Sequence, residues 1–323
     1  MKGSMEEILR AVEQNSAFSI ISHVSPDGDT VGSAAALARI LRKLGKRAEN
    51  VCCDRIPDAY KFIPGAEEIL LPEDARGFDA VIAVDCADKG RLGGAAAIFD
   101  MAGVTVNIDH HGTNTMYAGN NMVEETAACA ELIYRIGRAL GAEIDEETAN
   151  CLLAAIVTDT GSFAYSNVTR ETMAIAGELI ALGADNALIN RLVYHNEPAG
   201  KVKMHAYALG RLRLYSEGRI ATATLTEGEM EPFGPEAYTE GIVEKLRDID
   251  TVEIAAFLRQ KGRDVKVSLR AKQYADVARM AFLKNGGGHP RAAGYTEYGM
   301  TAAEAEKIAV QLAEKELEAC WRE

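Results

Sequence analysis

The sequence predicts an α/β protein in two parts: an N-terminal, mostly parallel sheet flanked by helices, joined by a linker to a smaller α+β C-terminal domain. Three observations predict it. Short apolar runs alternate with amphipathic stretches through the first half. A more polar stretch then interrupts the pattern, and beyond it strands follow one another more closely. A chain of 323 residues is long enough for two domains that each bury a core. The boundaries read as 1–183 for the first domain, 184–201 for the linker and 202–323 for the second domain.

The elements can be justified in order. Strand candidates lie at 18–23, 48–52, 80–85 and 104–108, dense in Val, Ile and Ala as strands buried on both faces are. A helix over 31–44 sets Val31, Ala34, Ala35, Ala38 and Leu41 on one face and stops at Gly45, a natural C-terminal cap. Helices at 127–140 and 147–157 precede the loop Asp159-Thr160-Gly161, and another spans 172–182. The stretch 183–200, with Asn186, Asn190, Asn196 and Pro198, reads as a partly helical linker. Beyond it the pattern gives a helix at 202–214, a strand at 220–225, a helix at 237–247, strands at 252–258 and 265–270, and a helix at 276–283. A glycine run, a short strand and a final helix from Ala302 complete the chain.

Composition excludes some classes of function. No segment approaches the roughly 20 apolar residues a membrane span needs, and the opening MKGSMEEILRAVEQ has no apolar run behind a basic start. The expectation is a cytoplasmic protein without a membrane partner. Six cysteines without a CxxC pair read as reduced thiols. A net charge of −13 argues against long duplex nucleic acid, which needs a broad basic footprint. Residues 245–291 nonetheless carry eleven Lys/Arg against five Asp/Glu, a local basic excess that suits a small anionic ligand.

The chemistry concentrates at strand ends. In His23-Val24-Ser25-Pro26-Asp27-Gly28-Asp29, the His and both Asp follow a strand, where ligand sites of open α/β sheets form. Pro26 and Gly28 fit a tight turn that aims Asp27 and Asp29 toward one point. Capping of the next helix by Asp29 or Thr30 would explain one residue but not the set. The run 80–84 leads into Asp85, and 104–108 leads into Asp109-His110-His111. Asp159 follows an apolar helix. A single carboxylate at a strand end is more often a loop residue than a ligand, but several in one cleft repel each other and need cations to offset them. Carboxylate and imidazole donors without thiolate suit manganese or a similar octahedral ion better than structural zinc.

Taken in order, HVSPDGDTVGS, VDCAD, IDHH and TDTGSF resemble the four motifs of the DHH phosphoesterase superfamily, which includes RecJ-type nucleases, family II inorganic pyrophosphatases and nanoRNases. The run GGGHPRAAG at 286–294, with VSLR before it, resembles the DHH-associated C-terminal domain. Length and layout are most similar to the bifunctional nanoRNase / pAp phosphatase subgroup, although Ala278 stands where that subgroup commonly has Asn. The resemblance implies two divalent metal ions. One would be held by His23, Asp27, Asp85 and Asp159, the other by Asp29, Asp85, His110 and Asp159, with Asp85 and Asp159 bridging. His111, which the resemblance assigns to no metal, is expected to act on the transition state or the leaving oxygen, and Asp109 is expected to orient a histidine, since metal-bound imidazoles usually donate their other N–H to an acceptor. The resemblance further implies that Arg270, Gly286, Gly287, Gly288 and His289 bind substrate. Read alone, the glycines could be a helix C-cap and Arg270 a surface residue, although a guanidinium fork suits phosphate.

The implied substrates are short oligoribonucleotides, linear dinucleotides and 3'-phosphoadenosine 5'-phosphate (pAp). A single-strand exonuclease or a pyrophosphatase would keep the chemistry and change the substrate. A non-enzymatic nucleotide-binding regulator would show missing ligands, and none is missing. A homodimer is compatible with this reading.

Overall fold

In the computed structural model, which describes residues 5–320, the chain divides between Asn196 and Glu197 into two units. The first comprises α1 (Met5–Gln14), β1 (Ala17–Ile21), α2 (Gly28–Lys43), β2 (Arg47–Val51), β3 (Ala80–Val84), α3 (Ala96–Met101), β4 (Val104–Asp109), β5 (Asn120–Val123), α4 (Cys129–Ala139), α5 (Glu146–Asp159), α6 (Arg170–Ala181) and α7 (Asn186–Tyr194). Its five strands run parallel in the order β2-β1-β3-β4-β5. Alternate residues feed two cores. Phe18, Ile20, Ile82, Val84, Val106 and Ile108 pack with residues of α2, α4 and α5, whereas Ile21, Val51, Val81 and Ala83 pack with Leu92, Ile98 and Phe99. Covering both faces is what makes these strands read as apolar runs.

The strand order sets where a site can form. From β1 the sheet grows outward in both directions, to β2 on one side and β3 on the other, so the loops leaving β1 and β3 diverge at their carboxyl ends and open a crevice there. The helices complete it. α2 runs away from the crevice and α5 runs back into it, and glycines let the two touch. A Cβ on Gly28 would lie 2.4 Å from Thr158 Cγ2, and one on Gly32 would lie 2.5 Å from the Cys151 carbonyl oxygen. This close contact delivers Asp159, the last residue of α5, to the start of α2.

The second unit comprises α8 (Ala199–Leu209), β6 (Arg213–Tyr215), β7 (Ile220–Thr226), α9 (Glu227–Met230), α10 (Ile242–Arg247), β8 (Ile254–Lys261), β9 (Asp264–Ala271), α11 (Val277–Phe282), β10 (Gly287–His289), β11 (Ala292–Glu297) and α12 (Ala302–Cys320). Its sheet has the order β10-β11-β9-β8-β7-β6, antiparallel except for the β7–β8 pair. Along β8, Ile254, Ala256 and Leu258 share a core with α12, while Ala255 and Phe257 share one with α8 and α10.

The fold class matches the sequence reading, but particular elements differ from it. The helix expected at 202–214 stops at Leu209, because residues from Arg213 pair with β7 instead. The helix expected at 237–247 is broken by Gly241, at a φ of 91°, into a 3-10 turn (Glu236–Thr239) and α10. β5 was not expected, since its two Asn are poor strand formers; pairing with β4 buries Met122 and outweighs that preference. Within the stretch read as linker, α7 is held to α5 by a hydrogen bond of 3.0 Å from the Tyr194 hydroxyl to the Val157 carbonyl. Among the described residues no disulfide forms, and no single helix is long and apolar enough to cross a membrane.

Candidate metal centre

Two histidines are pre-set by backbone carbonyls. His23 Nδ1 lies 2.8 Å from the Val24 carbonyl oxygen. A carbonyl only accepts, so this contact forms with a proton on Nδ1, and Nε2 faces Asp27 Oδ2 at 3.7 Å and Asp85 Oδ2 at 3.6 Å. His110 repeats the arrangement. Its Nδ1 is 3.0 Å from the Thr126 carbonyl, and its Nε2 faces Asp85 Oδ1 at 3.3 Å, Asp159 Oδ2 at 3.5 Å and Asp29 Oδ2 at 3.7 Å. Such second hydrogen bonds fix the tautomer of metal-binding imidazoles.

Asp85 therefore turns one oxygen to each histidine. It reaches that position in a left-handed conformation, φ 55°, held by its amide donating to the Ile108 carbonyl at 2.9 Å. A non-glycine residue in this region is strained, and such strain gathers at functional sites. The neighbouring Cys86 points into the opposite core, away from the cluster as expected. Asp29 accepts from the amides of Cys129 at 2.6 Å and Ala130 at 3.2 Å, and from Ser33 Oγ at 2.8 Å, so it anchors the start of α4. The cap of α2 is Asp27, which accepts from the Thr30 amide at 3.1 Å, and not Asp29 or Thr30.

The donor atoms fall into overlapping sets that lie within 4.8 Å of one another: His23, Asp27 and Asp85; Asp29, His110 and Asp159; and Asp85, His110 and His111. Asp159 joins the second set and not the first. Burial, and after it the charges of Asp85 and Asp159, push the Asp29 carboxyl well above the usual range. Burial likewise lifts Asp159 to about 6, with Asp85 and Asp27 adding to it and His110 opposing. Burial alone would lower both imidazoles, yet hydrogen bonding to Asp27 and Asp85 raises His23 to about 10, and Asp85 with Asp29 raises His110 to about 10. This is a site short of positive charge. Asp85 Oδ1, buried and without a hydrogen-bond partner among the described residues, points the same way. Carboxylates and imidazoles so placed fit divalent cations.

His111 stands apart through its Nδ1, which lies 2.8 Å from Asp109 Oδ1. Asp109 Oδ2 accepts from Asn114 Nδ2 at 2.6 Å, and that amide also reaches Asn107 Oδ1 at 2.7 Å. Burial opposes ionisation of Asp109, but the hydrogen bonds from His111 and Asn114 hold its carboxyl below the usual range. The bond to Asp109 in turn raises His111. The histidine that Asp109 orients is thus His111. Sequence reasoning missed Asn107 and Asn114; an Asn inside the otherwise apolar run 104–108 was the available signal. It also missed Arg91, whose Nη2 lies 3.0 Å from His23 Nδ1.

In the second unit, register aligns His289 with Ala292 and Ala292 with Arg270, one row across β10, β11 and β9. Residues in such a row share a sheet face. Arg270 Nε and Nη2 each lie 2.9 Å from Glu244 Oε1, beside a cavity of about 340 Å³ lined by Thr239, Glu244, Phe257, Arg259, Ser268 and Arg270. The glycines differ in what they serve. Asn285, φ 55°, takes the left-handed position after α11, and the Gly286 amide closes the cap on Ala281 at 2.9 Å. A Cβ on Gly286 would meet the Gly294 carbonyl oxygen at 2.3 Å, and one on Gly288 would meet that of Ala292 at 2.5 Å, so the hairpin requires both. Gly287 is exposed with open space around its Cβ position, and the fold does not require it to be glycine.

Comparison with known proteins finds relatives along nearly the whole chain. Residues 17–156 match the DHH family, N-terminal domain, and residues 235–319 match the DHHA1 domain. The chain is 32% identical over 314 residues to the bifunctional oligoribonuclease and PAP phosphatase NrnA of Thermus thermophilus, spanning 96% of this chain and 93% of that protein. It is 26% identical over 306 residues to the Bacillus subtilis protein of the same name, spanning 92% and 95%. The crystal structure of an exopolyphosphatase-related protein from Bacteroides fragilis matches with a TM-score of 0.89 at 29% identity, over 98% of this chain and 97% of that one. The chain is a member of the DHH phosphoesterase family, in the branch that couples a DHH domain to a DHHA1 domain and includes the bifunctional oligoribonuclease and PAP phosphatases.

Proposed function

We propose that this protein hydrolyses short oligoribonucleotides, linear dinucleotides and pAp with the help of two manganese ions. The observation that carries the reading is Asp85, one buried carboxylate with an oxygen toward each of two His/Asp sets. His23, Asp27 and Asp85 would hold one ion, and Asp29, Asp85, His110 and Asp159 the other. When bound, such a pair polarises the phosphate and acidifies the attacking water. The absence of thiolate from the donor set supports manganese over structural zinc.

The chain's own residues do the rest. The carbonyls of Val24 and Thr126 orient the two rings through Nδ1, so that Nε2 of His23 and of His110 would be the atom offered to a bound ion. His111, fixed through Nδ1 by Asp109, keeps Nε2 for the substrate, and its raised pKa favours the protonated form that can hand a proton to the leaving oxygen. Arg270, Gly286, Gly287, Gly288 and His289 are assigned to substrate recognition, supported by the shared row of Arg270 and His289 and by the open approach to Gly287. The names of the relatives, both oligoribonuclease and PAP phosphatase, support the substrate class.

The test is direct. Manganese-loaded protein is assayed side by side on pAp, a linear dinucleotide, a long single strand and pyrophosphate. Turnover of the first two well above the others is expected. Preference for the long strand would replace this reading with an exonuclease.

A further inference from the structure

Arg91 occupies a position that neither the metal ligands nor the fold accounts for. Its backbone is pinned on both sides: the amide donates to the Asp88 carbonyl at 3.2 Å, and the carbonyl accepts from the Val24 amide at 2.8 Å. The turn after β3 is thereby tied to the loop that carries His23. The half-buried guanidinium then reaches the rim of the metal centre, with Nη2 3.0 Å from His23 Nδ1.

That contact cannot persist as a hydrogen bond once His23 is set for a metal. His23 Nδ1 has two neighbours, a carbonyl at 2.8 Å that only accepts and a guanidinium at 3.0 Å that only donates. A neutral ring satisfies one of them. If Arg91 donates to Nδ1, the ring proton sits on Nε2 and blocks the lone pair that faces Asp27 and Asp85. If the Val24 carbonyl accepts, Nε2 is available and Arg91 has no acceptor on His23. Among the described residues Arg91 makes no ion pair; its charge acts on Asp27 and Cys86 through space, lowering both. A partly desolvated arginine with five donors and no anionic partner, beside a cluster that suits phosphate chemistry, is a receptor for an oxyanion.

We infer that Arg91 is a phosphate-contacting residue of the hydrolytic centre, donating to a non-bridging oxygen of the scissile phosphate. The inference rests on the hydrolytic reading given above. It distinguishes Arg91 from a residue that merely orients His23, because an orienting role predicts loss of metal and a phosphate-binding role does not.

The experiment compares wild type, Arg91→Ala and Arg91→Lys, each loaded with manganese. Bound manganese is measured by elemental analysis, inorganic phosphate binding by calorimetry, and kcat and KM on pAp. Removing a charge-assisted contact should weaken phosphate binding by about tenfold or more in Arg91→Ala, with partial recovery in Arg91→Lys and manganese content equal to wild type. Phosphate affinity within about twofold of wild type, or loss of a manganese equivalent alongside the lost affinity, would overturn the assignment. Failure of wild type to turn over pAp would reject the proposed substrate, while the phosphate calorimetry still decides the role of Arg91.

Discussion

At the scale of single residues, the site depends on carboxylates placed where they are electrostatically uncomfortable. Asp85 combines burial, a left-handed backbone and an unpartnered oxygen. Asp85→Asn preserves its shape and removes its charge. Turnover is expected to fall well over tenfold, each ~1.4 kcal/mol of lost transition-state stabilisation being a factor of ten, with circular dichroism unchanged. His111→Ala tests a different function, since His111 is held by Asp109 and not by the sets around Asp85 alone. Its kcat should drop by about 10² or more while bound metal stays at the wild-type level. Loss of a metal equivalent would make His111 a ligand. The acidic and imidazole residues of this site were all singled out in the sequence, because each ends an apolar run or lies in the turn directly behind one. Arg91 and Asn114 were not. Arg91 lies in a short 3-10 turn (Lys89–Ala95) and Asn114 in a loop, neither with periodicity, and their importance comes from contacts to His23 and Asp109 that no spacing reveals.

At the scale of elements, buried strands and the α2–α5 pair were the readable part, and short or interrupted elements were not. The apolar runs at β1, β3 and β4 reflect a sheet covered on both faces, a pattern visible locally. β5 and β6 owe their conformation to neighbouring strands, and their sequences carry little of it. α5 shows how an element far from the chemistry at one end can set it at the other. Its N-cap is Asp145, which accepts from the Thr148 amide at 2.9 Å and pairs with Lys43 on α2 at 2.8 Å. Burial works against ionisation there, but the bonds from Lys43 and Thr148 hold the Asp145 carboxyl below its ordinary value. A depressed folded-state pKa contributes stability that is present above the unfolded value of about 3.9 and is lost as pH falls toward the folded one. Asp145→Ala should therefore cost about 1–2 kcal/mol at neutral pH, and the gap to wild type should narrow at about pH 3, as urea unfolding at both pH values would show.

At the scale of the whole molecule, the proposed function assigns chemistry to the first unit and recognition to the second. The basic excess at 245–291 is smaller in space than along the sequence, since Arg259, Arg270 and Lys284 pair with Glu236, Glu244 and Glu297 from outside that segment. What distinguishes the second unit is then an arrangement and not a net charge: His289 and Arg270 in one row, next to an exposed glycine and a cavity lined by two arginines. Arg270 has most of its donors engaged, by Glu244 and by the Leu269 carbonyl at 2.9 Å, so two roles compete for it. If it binds substrate, Arg270→Ala and His289→Ala should raise KM for pAp and for a dinucleotide by about 1.5–3 kcal/mol, the value of a charge-assisted contact. A small generic diester such as bis-p-nitrophenyl phosphate makes few of those contacts, and its kcat/KM should change far less. If Arg270 instead holds α10 to β9 through Glu244, both substrates should lose equally, and Glu244→Gln should reproduce the loss. Measuring kcat/KM for both substrate types in all three variants separates recognition from architecture, because only recognition makes the loss depend on the substrate.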